Sequence, residues 1–226
     1  MAEVPDDTCW TVLRAAANGD QAARSKFTLL YAATIRGYLA SRWRGRYLIV
    51  DLEDASQEVF VECLKPGGVL QRADSSRGEF RGLLFGVTRN VACRFEKRAL
   101  ERGRLRPEDS GWLENTIADD AGQATEFDRS WARAMVFQAK ERHRDLALRD
   151  GEAGRRRLEL LERRFADDEA IRDIAASWGV PAQDVHNAYR KARIEFYRCL
   201  REAVAFHAPP GSDLDAECRN LLAALG

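Results

Sequence analysis

Apolar side chains recur along this chain at steps of three and four, and nowhere do they alternate for long at steps of two. Phe27, Tyr31, Ile35 and Tyr38 follow this rhythm, and so do Val185, Tyr189, Ala192 and Phe196. Such spacing puts the side chains on one face of a 3.6-residue helix, and a strand would scatter them to both faces. The chain is therefore expected to be all-α. Turn residues divide it: Asn18-Gly19, Pro66-Gly67-Gly68, Gly151 with Gly154, and Pro209-Pro210-Gly211. A length of 226 residues allows two small domains, each with its own core.

The first helix is expected to start after Thr8, and Asp20 is placed to cap the second. Asp51 is read as the cap of a third helix, with Val59, Phe60, Cys63 and Leu64 as its apolar side. Ser76 and Glu79 have capping-box spacing and open a long helix over 78–102. These elements predict a domain over 8–104. Residues 105–129 contain Pro107, Gly111 and Gly122 and read as an acidic linker. A second domain follows over 130–205, with Trp131, Met135, Val136 and Phe137 at its start and Leu158, Leu161 and Phe165 further on. Residues 206–226 form a C-terminal helical extension, opened by a Ser212/Asp215 box.

The zero net charge hides segregation. Residues 65–106 carry 11 Lys/Arg against 4 Asp/Glu, and residues 107–130 carry 1 against 7. A basic block raises local affinity for phosphate backbones, although cations also serve simply to solvate a helix face. Residues 1–8 hold three acids and no apolar run, and no stretch approaches the roughly 20 apolar residues of a membrane span. A cytoplasmic protein with no membrane partner is expected. The five cysteines form no CxxC pair and, with three histidines, do not space like metal ligands. Neither metal nor cofactor is expected. No phosphate-binding glycine loop occurs, and no nucleophile stands beside a base, so catalysis is not expected either.

Three segments carry chemistry. Residues 171–193 read as a helix-turn-helix: Ile174 and Ala175 on the first helix, Gly179 in the turn, Val180 against the core. On the second helix, Gln183, Asp184, His186, Asn187, Arg190, Lys191 and Arg193 lie away from the apolar face, where side chains reach base edges and phosphates in a major groove. The helix near 79–102 presents Arg81, Arg89, Asn90, Arg94, Lys97 and Arg98, suited to holding a nucleic-acid strand. The loop before it, from Gly67 to Arg77, is placed to cradle an extruded base. The start of the third helix presents Asp51, Glu53, Asp54, Gln57 and Glu58; capping accounts for part of this cluster, and docking to a basic protein surface accounts for the rest.

Together these segments resemble the sigma factors of the extracytoplasmic-function type, across about 10–205. Residues 51–60 resemble a D-x-E-D-x-x-Q-E-x-F segment at Asp51, Glu53, Asp54, Gln57, Glu58 and Phe60. Residues 80–98 resemble F-R-x-x-L-x-x-x-x-R-N-x-A at Phe80, Arg81, Leu84, Arg89, Asn90 and Ala92. The helix-turn-helix resembles the family's unit at Ile174, Ala175, Gly179, Val180, Val185, Ala192 and Arg193.

The resemblance implies a region-2-like domain over 8–104 and a region-4-like domain over 130–205. The first would dock on core RNA polymerase at its beta-prime clamp and recognise the melted minus-ten element. The second would read the minus-thirty-five element, with the beta flap as its polymerase partner. Promoter DNA is the implied ligand, and an anti-sigma factor or a regulatory kinase is an implied regulator. The chain departs from the pattern at Asp184, Ala188 and Leu83. A carboxylate at Asp184 repels phosphate but can accept from cytosine N4. The alternative reading is a helix-turn-helix regulator whose N-terminal domain binds a partner or senses a ligand; a helical adaptor is a third.

Overall fold

The computed structural model describes residues 8–73, 80–104, 111–112, 119–209 and 211–225. Among these residues there are helices and no strands. The order is α1 (Cys9–Ala17), α2 (Gln21–Arg42), a 3₁₀ turn (Tyr47–Asp51), α3 (Leu52–Leu64) and α4 (Val69–Arg72), followed by α5 (Phe80–Glu101) and α6 (Asp120–Arg149). Then come α7 (Gly151–Phe165), α8 (Ile171–Trp178), α9 (Ala182–His207) and α10 (Leu214–Ala223). No described helix is long and apolar enough to cross a membrane. Contacts divide the chain into one unit of residues 1–134 with 205–226 and a second of residues 135–204.

The core of the first unit is built on α2. Phe27, Tyr31, Ile35, Tyr38, Leu39 and Trp43 are fully buried, as their helical spacing predicts. The ring of Tyr31 lies 5.1 Å from Phe27 and 4.9 Å from Phe80 of α5, and Phe27 meets Phe60 of α3 edge-on at 5.7 Å. Asp20 caps α2 by accepting from the Ala23 N–H at 2.6 Å. Burial pushes the Cys9 thiol up to about 11 and the Cys63 thiol up to about 12, which makes both poor nucleophiles.

Beneath the aromatic layer lies a buried ion pair. Arg42 Nε and Nη2 donate to the Glu96 carboxylate of α5 at 2.6 and 2.9 Å, and Trp43 Nε1 donates to it at 2.9 Å. The remaining guanidinium nitrogen donates to Tyr38 Oη at 3.1 Å and to Gln123 Oε1 of α6 at 2.7 Å. Burial by itself would weaken protonation of Arg42, but the Glu96 hydrogen bonds and charge outweigh it and hold the guanidinium firmly charged.

Several expectations are corrected here. Asp51 does not cap α3 with its side chain. The 3₁₀ turn runs straight into the helix, so the Leu52 N–H is already taken by the Ile49 carbonyl. Asp213, and not Ser212, caps α10, accepting from the Asp215 and Ala216 N–H groups at 3.1 Å each. The Ser76/Glu79 box, residues 74–77 of the loop before α5, and residues 105–110 and 113–118 of the linker lie outside the described residues.

The acidic stretch is not linker up to 129. From Asp120 it is helix, and α6 continues unbroken to Arg149 across the boundary expected near 130. Phe127 is buried between Tyr38 and Phe85, at 5.7 and 5.3 Å, and Trp131 stacks on Tyr31 at 5.9 Å. Four residues separate these two aromatics, so they share a face that composition alone conceals. The C-terminal extension does not stand apart either: His207 packs against Trp131 at 4.9 Å within the first unit.

In the second unit, Leu160, Ile174, Ala175 and Val185 form a buried cluster. Ile171, Trp178, Val180, Ala188 and Tyr189 pack against it. Gly179 sits at φ +64°, a left-handed turn that side chains disfavour. A Cβ on Gly154 would meet the Ala147 carbonyl oxygen at 1.9 Å, so the turn from α6 into α7 requires glycine there. Phe137 and Phe165 are 59% and 71% exposed. Met135 and Ala139, four apart, define the buried face of α6, and Phe137 lies midway between them in sequence and hence on the other side. On α7 the fully buried leucine is Leu160, with Leu158 and Leu161 half-buried beside it.

Two predictions concern stability. Glu96→Ala leaves the Arg42 charge buried without its carboxylate, and it should destabilise the chain by about 3–5 kcal/mol in urea unfolding. A loss below about 1 kcal/mol would mean that the pair does not hold α2 to α5.

The second concerns pH. His143 is buried, and that burial lowers its pKa from the ordinary 6.5, with Glu195 opposing. The unfolded chain therefore binds the proton first, so this stabilisation is complete above about 6.5 and is lost as pH falls below it. Urea midpoints read from amide resonances of residues 135–204 should drop between pH 7 and 5, by at most about 1.4 kcal/mol per pH unit from this group. His143→Gln should flatten that slope, and an unchanged slope would assign it to other groups.

Candidate docking and nucleic-acid surfaces

The acidic and basic segments that sequence reading keeps separate meet on one surface of the first unit. Helices α3 and α5 pack side by side, and Arg94 of α5 reaches Glu58 at 2.9 Å and Glu62 at 3.1 Å. Arg98 Nη1 reaches Glu58 at 3.3 Å while its guanidinium lies 5.4 Å from the Phe95 ring. Lys65 at 2.7 Å, helped by Arg94, holds the Glu62 carboxyl below its ordinary pKa. Arg81 pairs with Asp128 at 3.6 Å, Arg89 pairs with Asp120, and Lys97 comes within 4.0 Å of Glu101. Asn90 is exposed. The arginines expected to face DNA are thus matched, one by one, with carboxylates of the same unit.

The expected docking residues divide in two. Glu53 pairs with Arg36 of α2, and Glu58 is taken by Arg94 and Arg98. Asp54 and Gln57 are exposed on the outer face of α3. Val61, at 58% exposure, extends that face, since 54, 57 and 61 are spaced three and four apart, and Val50 of the preceding 3₁₀ turn is 66% exposed. Leu29 of α2, at 82%, is also exposed. Sequence reading passed over these apolar residues because helical spacing says which residues share a face and not which face is covered. Asp51 is half-buried at the entry to α3 and lines a cleft of about 420 Å³ with Asp54, Glu58, Arg98, Arg102 and Arg104.

In the second unit, α9 turns Val185 and Ala192 inward. Gln183, Asp184, His186, Asn187, Arg190, Lys191 and Arg193 are all exposed. Gln183 Nε2 lies 3.4 Å from Asn187 Oδ1, so these two amides form one hydrogen-bonding edge. Lys191 lies 3.9 Å from Glu195, and the Arg193 guanidinium sits 5.7 Å from the Tyr189 ring. Asp184 stands in the first turn of α9, where its charge complements the helix dipole. Ala188 packs against the core cluster, which favours a small residue there.

Two buried arginines organise these surfaces, and neither was singled out from sequence. Arg42 anchors α5 from below through Glu96. Arg157 donates to Glu195 of α9 at 2.8 Å and also pairs with Asp150, which ties α9 to the start of α7. Arg42, Glu96 and Arg157 are ordinary charges on helices in sequence, and only their burial marks them.

Comparison with protein-family models, with curated proteins and with solved structures finds no match for the chain.

The pairs between α3 and α5 are partly exposed, so they should add little to stability. A double-mutant cycle of Glu58→Ala and Arg94→Ala is expected to give a coupling of about 0.2–1 kcal/mol in thermal unfolding. A coupling above about 2 kcal/mol would make these residues part of the structural core.

Proposed function

We propose that the chain is a sigma-type initiation subunit that acts by binding and not by catalysis. On this reading the outer face of α3 docks on core RNA polymerase. The face of α5 takes unpaired promoter DNA, and α9 reads upstream duplex. The observation that carries the reading is on α9: a helix anchored from within by Val185, Ala192 and Glu195 presents seven polar or cationic side chains to solvent. Support in the first unit comes from Asp54 and Gln57, exposed on one face of α3 with the exposed Val61, as a protein-docking face requires.

One observation favours a second reading. The α5 arginines are already paired within the unit. A regulator that touches duplex DNA through α9 alone, with the first unit binding a partner, would need none of them free.

One experiment separates the two readings. Purified chain is added to core RNA polymerase with a library of random promoters, and specific transcripts are sequenced. A sigma subunit directs initiation at a shared motif; a regulator binds duplex without polymerase and directs none. Asp54→Lys with Gln57→Lys should weaken binding to core polymerase at least about tenfold, or 1.4 kcal/mol, by setting like charges against a basic partner. The cost to stability should stay within about 1 kcal/mol. Undiminished polymerase binding would remove α3 from the interface.

A further inference from the structure

Helices α5 and α6 run past each other with matched spacing. Asp120 meets Arg89 and Asp128 meets Arg81, eight residues apart on each helix and in opposite directions. Eight residues of helix rise about 12 Å. The two carboxylates hold, at that spacing, guanidinium groups that phosphates of a strand lying along α5 would seek.

Neither carboxylate is needed to seat the helix. The seat is made by Phe127 between Tyr38 and Phe85, and by Gln123, which accepts from Tyr38 Oη and Arg42. Ser41 Oγ completes it by donating to Glu126 at 2.8 Å. The side chain of Asp120 is 69% exposed and that of Asp128 is 43% exposed. Exposed pairs of this kind contribute little to folding, yet they set two negative charges against the guanidinium groups that a phosphate would seek.

We propose that Asp120 and Asp128 are built-in competitors for Arg89 and Arg81, an autoinhibitory contact that keeps the α5 face below its full affinity for a single strand. The inference rests on the reading of α5 as a strand-binding face. Helix α6 stays in place while the contact is broken; a strand displaces the two carboxylates, and their exposure leaves them free to turn outward into water. The competition is electrostatic and should fade as salt screens it.

The test uses the full chain and a short fluorescein-labelled oligodeoxythymidine strand, followed by anisotropy at low and high salt. Asp120→Asn with Asp128→Asn should raise affinity about tenfold at low salt, and the gain should shrink as salt rises. Arg81→Ala with Arg89→Ala should lower affinity, and the gain should vanish when all four changes are combined. Asp120→Asn alone, at an exposed helix start, repeats the test with a smaller gain should the double variant fold poorly. Unchanged affinity in the Asn variants, with the Ala variants still weakened, overturns the competition and leaves the strand-binding face standing. If the Ala variants bind as well as the unaltered chain, the strand-binding reading itself fails and the competition with it. A gain that survives in the fourfold variant overturns the proposal by tracing the effect to net charge.

Discussion

The first unit depends on a charge that has nowhere else to go. Arg42 is buried in a layer of aromatic rings, and taking a guanidinium out of water costs several kcal/mol unless its donors are met. Glu96 meets two of them, and the same carboxylate accepts from Trp43, while Tyr38 and Gln123 accept from the remaining nitrogen. Helices α2, α5 and α6 are thereby held by a network whose partial loss would leave a bare charge in the core. Apolar packing alone would tolerate a helix sliding by a fraction of a turn. A buried, saturated guanidinium does not, because its donors are directional and fixed in a plane. The second unit has a counterpart in Arg157, which ties α9 through Glu195 and the start of α7 through Asp150.

The outer charges follow different rules. Glu58, Glu62, Asp120 and Asp128 pair with arginines of α5 in partly exposed positions, where water competes and each pair is weak. Weak pairs are easily exchanged for an outside ligand, and a strong buried pair is not. The same residue types thus serve two ends. Where they are dry they fix the geometry of the scaffold, and where they are wet they add little to it.

Parts of this architecture were legible beforehand. The rhythm of Phe27, Tyr31, Ile35 and Tyr38 predicts the buried face of α2, and Gly179 between Ala175 and Val185 predicts the turn of the helix-turn-helix. The outward set on α9 follows by geometry once Val185 and Ala192 are placed inside. The acidic stretch misled because composition averages over faces. Gly122 and a dense run of acids read as linker, yet from Asp120 onward the chain is helix, with Phe127 and Trp131 on one buried face. The pairing of α3 with α5 was invisible, since nothing in either segment specifies which neighbour will come to lie beside it.

The sequence by itself determined that the chain is helical, where its turns fall, and which residues of each helix share a face. These are local properties, set by spacing, glycine and capping side chains, and they need no knowledge of other segments. Only the tertiary structure decided that α6 up to Ala134 belongs with the first unit, that Arg42 and Arg157 are buried, and that the carboxylates of α3 and α6 stand against the arginines of α5. The reason is physical. A charge has the same local signature in water and in a core, and its role depends on desolvation and on partners that in this chain lie up to 85 residues away.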